Sequence, residues 1–338
     1  MRFLSASSLA LASGLILGLA GCSRDPLPQA SSPHAQVVGV GTSPSFLDQI
    51  ADAPFQTSYR ALRRVWQTWQ GSTGPETLEY TETVCSDGQA HFSVTTEHVL
   101  QPALTGHAES IFKLTQKSRE GFIYRLRDFR IRELSSFLQA YRIKDLNQQV
   151  VIAGESCERL RVTPSIDQPL NYWELDVDAS NGLILGTREF LRNGTLVSQV
   201  ETLDYEANPD LSSVVLHQDL AAVPFTAATA QQVLGFVPLQ PTFLPNGFTL
   251  VSSEKISDGS DNWARCTYSN GGEQLFLLCR SDPSGSIGSV DPAGPYTIKI
   301  FRAGRWSVAQ SELGLHHVIV MGRESASILR QVIESCAP

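Results

Sequence analysis

The strongest constraint on this chain is a series of short alternating segments separated by explicit turn residues. Between Tyr141 and Tyr205, apolar and polar residues alternate through Tyr141–Leu146, Val150–Ala153, Cys157–Thr163, Tyr172–Val177, Leu183–Leu191 and Thr195–Tyr205. The breaks include Gly154-Glu155, Asp178-Ala-Ser-Asn-Gly182 and Asn193-Gly194. A period of two puts alternate side chains on opposite faces of a strand. Asn-Gly supplies the positive φ angles that tight hairpins need. Such a chain folds as an antiparallel meander.

The same grammar runs upstream. Tyr59–Trp69 and Thr77–Cys85 read as strands, and Ser86-Asp87-Gly88 as a hairpin turn into a third strand at Ala90–Glu97. Helical spacing appears at Ser45–Ala53 (Phe46, Leu47, Ile50), and at His107–Arg119, where His107, Ile111 and Leu114 share a face. Gly121–Leu126 reads as a strand and Ile131–Ala140 as a helix. Eight or nine antiparallel strands with two or three helices form a sheet that curls, and its concave face has to be filled. The expected fold is mainly β (α+β), an unclosed antiparallel β-barrel wrapped over helices.

A second unit follows. Strands are expected at Thr249–Ile256, Arg265–Tyr268, Gln274–Cys279, Tyr296–Phe301, Trp306–Gln310 and His317–Met321, closed by a helix at Ser325–Ser335. This is a small α+β domain. The N-terminus differs from both. Arg2 precedes a charge-free run of about 16 residues, Leu4–Leu19, too short for the ~20 that span a bilayer. Leu19-Ala20-Gly21-Cys22 then has the form of a lipobox, with Cys22 as the lipidated residue. An ordinary secretory signal or a membrane anchor is the alternative. Ser23 in place of aspartate favours the outer membrane. The domain reading is a lipoprotein signal peptide at 1–21, a flexible tether at 22–44, the half-barrel at 45–218, a linker at 219–240 and the small domain at 241–338.

Composition closes off several functions. With a net charge of −8 and no basic run, the chain lacks the electrostatic footprint of a nucleic-acid binder. No Gly-x-Ser-x-Gly, His-Glu-x-x-His or phosphate-loop pattern occurs, so neither a catalytic residue nor a cofactor is expected. His91 and His98, and the neighbours His316 and His317, have no metal-site spacing. Five cysteines besides Cys22 sit where disulfides are permitted: Cys85, Cys157, Cys266, Cys279 and Cys336. One or two structural bonds are expected, paired within each half (Cys85–Cys157, and two of Cys266, Cys279 and Cys336), with at least one thiol left over. Glu174, Asp176 and Asp178 read as a solvated strand face opposite Trp173, Leu175 and Val177. Asn193-Gly-Thr195 fits a glycosylation sequon and reads as a turn.

Two clusters stand as candidate sites. Phe122, Tyr124, Leu126, Phe129, Phe137, Leu138 and Tyr141 would line an apolar cavity for acyl chains or a peptide, or form plain core. Arg125, Arg127, Arg130 and Arg132 would form a basic docking patch for an anionic group, or a solvated edge.

The run Val151-Ile-Ala-Gly-Glu-Ser-Cys-Glu-Arg-Leu-Arg-Val-Thr-Pro164, then Asn171-Tyr-Trp-Glu-Leu-Asp-Val-Asp178, Asn181-Gly-Leu-Ile-Leu185 and Arg192-Asn-Gly-Thr-Leu-Val197, resembles the N-terminal domain of the MucB/RseB-type sigma-factor regulatory proteins. Phe243-Leu-Pro-Asn-Gly-Phe-Thr-Leu250 and Ala303-Gly-Arg-Trp306 resemble that family's C-terminal domain. The resemblance covers roughly residues 45–338. It implies a lipoprotein-carrier-like (LolA/LolB-like) half-barrel and a non-enzymatic, periplasm-facing regulator. Such a regulator would bind the periplasmic domain of a membrane anti-sigma factor and be released in envelope stress by a lipid or acyl-chain ligand. It transfers no binding residues. One departure matters: family members are soluble, whereas Cys22 would tie this chain to a membrane. That keeps open an outer-membrane lipoprotein or lipid acceptor, although the simple acceptor has one domain.

Overall fold

The computed structural model describes residues 44–70, 74–89, 91–117, 120–165, 171–217, 222–245, 247–258, 261–281, 297–303 and 306–336. The expected signal peptide at 1–21, Cys22 and Ser23 lie outside these residues. The chain divides into two compact units, the first ending at Asp219 and the second beginning at Leu220. Among the described residues no helix is long and apolar enough to cross a membrane.

The first unit opens with helix α1 (Pro44–Gln56), then β1 (Ser58–Gln70), β2 (Pro75–Asp87) and β3 (Phe92–Gln101). Helix α2 (His107–Lys117), a π-helical segment (Ile123–Arg127) and helix α3 (Leu134–Ala140) follow. The chain then returns through β4 (Tyr141–Ile152), β5 (Glu155–Pro164), β6 (Tyr172–Asp178), β7 (Ile184–Phe190) and β8 (Leu196–Ala207). The sheet order is β3-β2-β1-β8-β7-β6-β5-β4, with every neighbour antiparallel. First and last strands meet in the middle, and β3 and β4 form the open edges. Inward residues Leu160, Val162, Trp173, Leu175 and Val177 pack with Leu47 and Ile50 of α1 and Phe137 of α3. The Asn193-Gly194 hairpin forms between β7 and β8. Gly194 has φ +84, and Asn193 Oδ1 accepts from the Thr195 amide at 3.0 Å.

Several local expectations change. The stretch Gly121–Leu126 is helical, not a strand, running from a turn at Glu120–Phe122 into the π segment. Ile123, Tyr124, Leu126 and Arg127 are all buried. A strand cannot turn that many near-consecutive residues inward. Tyr141–Leu146 and Val150–Ile152 belong to one strand, β4, with an irregularity between Asp145 and Gln149, and Ala153 falls in the turn that follows. Asn147 there has φ +52, and its amide donates to Asp145 Oδ1. Helix α2 presents the unexpected face. Ile111 and Leu114 are exposed (47% and 69%), whereas Phe112 packs on Val65, Tyr80 and Val200.

The second unit holds β9 (Val223–Pro224), helix α4 (Ala230–Leu234), β10 (Thr249–Asp258), β11 (Asp261–Ser269), β12 (Gln274–Ser281), β13 (Lys299–Ala303), β14 (Trp306–Leu313), β15 (His316–Gly322) and helix α5 (Ala326–Glu334). Its sheet order is β13-β14-β15-β12-β11-β10-β9. Leu329, Val332 and Ile333 of α5 pack on Leu275, Leu277, Val318 and Val320. Ser325 caps α5 by accepting from the Ile328 amide. The stretch 219–240, read as a linker, carries β9 and α4. Phe225, Ala230 and Leu234 are buried in this core, which ties the stretch to the second unit.

All five described cysteines are free and buried. The expected Cys85–Cys157 bond does not form, and topology explains why. Cys85 lies on β2 and Cys157 on β5, with four strands between them. Adjacent strands lie about 4.8 Å apart, whereas a disulfide needs Cα atoms within about 7 Å. Cys266 and Cys279 sit on neighbouring strands but two ladder positions out of step: Cys266 faces Leu277, and Ala264 faces Cys279.

Candidate functional site

The concave side of the first unit is where the sequence-identified clusters come together. At its centre is a buried ion network. Register sets Arg63 of β1 opposite Glu82 of β2. The π segment lowers Arg127 onto them. Arg127 Nη1 donates to Tyr80 Oη and Glu82 Oε2, and Nη2 to Glu82 Oε1, each at 2.7 Å. Its Nε donates to Asp128 Oδ1 at 2.7 Å. Arg63 Nη1 reaches Asp128 Oδ2 at 2.9 Å and Nη2 reaches Glu82 Oε1 at 2.5 Å. Two cations and two carboxylates balance, as buried charges must. Burial alone would raise both carboxyls, yet Arg127 and Arg63 overcome it and hold Glu82 and Asp128 below the usual carboxylate range. Burial likewise opposes the Arg127 charge, but Asp128 and Glu82 raise its pKa well above the ordinary value.

The four arginines therefore do not form one docking patch. Arg127 is 5% exposed and spent on the network. Arg125 lies over the Phe92 ring at 5.5 Å, and Arg130 over the Tyr124 ring at 4.6 Å. Arg132 donates to the carbonyls of Arg130 and Arg125. Each guanidinium fixes the 120–132 segment or stacks on an aromatic beneath it.

The apolar cluster divides in two. Tyr124 stacks on Phe92 of β3 (4.3 Å, 9°), and its hydroxyl bonds Ser86 Oγ and the Pro54 carbonyl. Phe129, Phe137 and Tyr141 interlock with Trp173 on the other side. Leu126 is buried, and Leu138 is half-buried against the second group. The Phe122 side chain lies outside the described residues. In this conformation these residues are packed core. The cavity that reaches them touches Phe129, Arg63 and Asp128 and measures about 40 Å³. Acyl-sized ligands occupy pockets of about 300–1,000 Å³.

The convex face corrects another expectation. Asp176 and Asp178 are buried, at 4% and 2% exposed. Arg159 Nε donates to Asp176 Oδ1 at 2.6 Å, Arg161 Nη2 to Glu174 Oε1 at 2.7 Å, and Arg188 Nη2 approaches both carboxylates at 3.3 and 3.5 Å. The register makes this a cross-strand ladder, Arg159 opposite Asp176 and Arg161 opposite Glu174 opposite Arg188. Gly186 leaves room for it. A Cβ there would meet Asp176 Oδ2 at 2.8 Å. Among the described residues no group of three or more His, Cys, Asp or Glu could hold a metal ion.

Fold and site define a two-domain protein, an unclosed antiparallel half-barrel filled by helices followed by a small α+β domain. No family model matches the chain, and no curated protein matches it. Among solved structures, MucB in complex with MucA(peri) is similar with a TM-score of 0.51 and 17% identity, over 86% of this chain and 97% of that one. The Pseudomonas aeruginosa MucA/MucB complex is similar with a TM-score of 0.50 and 18% identity, over 85% and 95%. The chain has the two-domain fold of MucB, as its sequence resemblance to the MucB/RseB-type proteins implied.

Proposed function

We propose that this protein is a non-enzymatic envelope-stress regulator that binds the periplasmic domain of a membrane anti-sigma factor. The observation that carries this reading is the match along both units, in order, to a MucB chain seen in complex with MucA(peri). Cys22 would hold the protein on a membrane, facing the periplasm, with the outer membrane as the destination Ser23 favours. Two or more acyl chains make such an anchor firm. A lipid-like signal would release the partner. With about 40 Å³ open beside Phe129, an acyl chain enters only when the 120–140 segment moves. Lipid and partner would then select different conformations, and the lipid shifts the population only by its differential affinity.

The test is co-isolation from membranes with the full-length chain as bait, without and with added lipid. Recovery of an anti-sigma factor that lipid displaces is expected. Recovery of lipoproteins or lipid with no such factor sinks the regulator in favour of an outer-membrane lipid acceptor.

A further inference from the structure

The face of the first sheet turned away from the helices carries a pocket that none of the roles above uses. On β1, Val65 packs inward on Tyr80 and Val200. Its neighbours Arg64 and Trp66 therefore point to the opposite face. The register sets Arg64 beside Glu201 and Trp66 beside Gln199 of β8. With Leu196 these residues line a cavity of about 220 Å³. That admits one side chain and falls short of the ~300 Å³ at which ordinary small-molecule pockets begin.

The charges in it are unequal. Arg64 is half exposed, but its Nε and Nη2 are directed at Glu79, which is 6% exposed. Arg64 and Glu79 cancel. Among the described residues Glu201 has no such partner. The one hydrogen bond to its carboxylate among the described residues is a long one, 3.4 Å, from Gln199 Nε2. The pocket thus presents the Glu201 carboxylate beside an indole, while the neighbouring Arg64 is turned to Glu79 and Arg188 to Glu174 and Asp176. A carboxylate next to an aromatic face selects a cation, through ion pairing and cation–π attraction.

The surroundings extend the match. Tyr172 stacks on Phe190 (5.0 Å, 11°), and Phe190 pairs in register with Leu196. Tyr172, Phe190, Leu196 and Trp66 are each half-buried, and they make an apolar shelf across four strands that ends at the pocket. At its far end the Arg161 guanidinium already lies over the Tyr172 ring at 5.2 Å. This sheet face therefore already stacks a cation on an aromatic ring.

We propose that this pocket takes the lysine or arginine side chain of a partner peptide. The charged head sits on Glu201, the stem lies along Trp66 and Leu196, and the preceding apolar residue rests on the Phe190 shelf. The chain's net charge of −8 favours approach of such a basic segment. The site lies on the face opposite the helices and does not depend on the anti-sigma reading.

The experiment follows the indole N–H signal of Trp66, assigned with Trp66→Phe, in ¹H–¹⁵N spectra of the mature chain. The probes are Ac-Phe-Lys-NH₂ and its neutral isostere Ac-Phe-norleucine-NH₂. The lysyl peptide is expected to shift the signal saturably and to bind at least tenfold more tightly than the norleucyl one. Glu201→Gln should remove most of that preference without changing the thermal midpoint. Glu201→Lys should reverse it, so that Ac-Phe-Glu-NH₂ binds instead. Equal binding of the two probes, an unchanged preference in Glu201→Gln, or no saturable shift with either peptide overturns the proposal.

Discussion

Replacing Arg127 by leucine should destabilise the first unit by about 3 kcal/mol. The guanidinium makes five hydrogen bonds: two to Glu82, two to Asp128 and one to Tyr80. Leucine keeps the bulk and removes all five. Glu82 is 0% exposed and cannot turn to water. Breaking a buried pair by removing one partner costs about 3–5 kcal/mol. Arg63 still reaches both carboxylates, which places the loss at the lower end. The deficit should also depend on pH, and the sign is fixed. Glu82 and Asp128 have folded pKa values below their unfolded ones. Their contribution is present above the unfolded carboxylate pKa, about 4, and is lost as pH falls through the depressed folded values. Arg127→Leu shrinks that depression, so the deficit should be largest near neutral pH and narrow below about pH 4. Urea unfolding in a Trp263→Phe, Trp306→Phe background reads the first unit alone through Trp66, Trp69 and Trp173. Glu82→Leu on top of Arg127→Leu removes a charge of each sign, so the double variant should lose less than the two single losses added, by about 1 kcal/mol or more. A deficit under about 1 kcal/mol at neutral pH, or one that is constant down to about pH 3, would refute the network as the latch of this segment.

Gly186→Ala should lower the melting temperature by an amount corresponding to about 1–3 kcal/mol, because its Cβ enters the space of Asp176 Oδ2. A melt identical to that of the parent chain would mean the ladder shifts freely. On α2, Phe112→Ala should destabilise the first unit measurably. Leu114→Ser, 69% exposed, should stay within about 0.5 kcal/mol; the reverse order in urea titrations would mean the helix packs by its other face. The thiols should be inert in the native chain, since burial pushes Cys157, Cys279 and Cys336 up to about 12. Labelling by a thiol reagent at pH 8 should appear only on unfolding, and native labelling at the rate of a free thiol counts against their placement.

What could be read from sequence here followed the range of the interactions involved. The β7–β8 hairpin rests on Asn193 and Gly194, two adjacent residues whose backbone preference does not depend on the rest of the fold. The two-domain resemblance was legible because turn and strand patterns recur in order along the chain. The charge ladder was half legible. Glu174 and Asp176 alone look solvated, but Arg159 and Arg161 have the same spacing on the preceding strand, and that complementarity was the available signal. The face of α2 was misread because a helical period fixes which residues lie together and not which side is inward. There Phe112, reaching Val65, Tyr80 and Val200, decided the matter.

Arg127 marks the limit of such reading. Among Arg125, Arg127, Arg130 and Arg132 its sequence neighbourhood says surface. Its partners Tyr80 and Glu82 lie more than 40 residues earlier, on a strand whose register had to form before the arginine had a place to go. A π turn, which no alternating or helical period encodes, then turns it inward. Segments of this kind are found frequently at functional sites. Here the turn sets a buried ion network beside the aromatic core of the first unit. Hydrophobic packing alone would close the barrel more cheaply, because a buried ion network adds little net stability over apolar residues of the same volume.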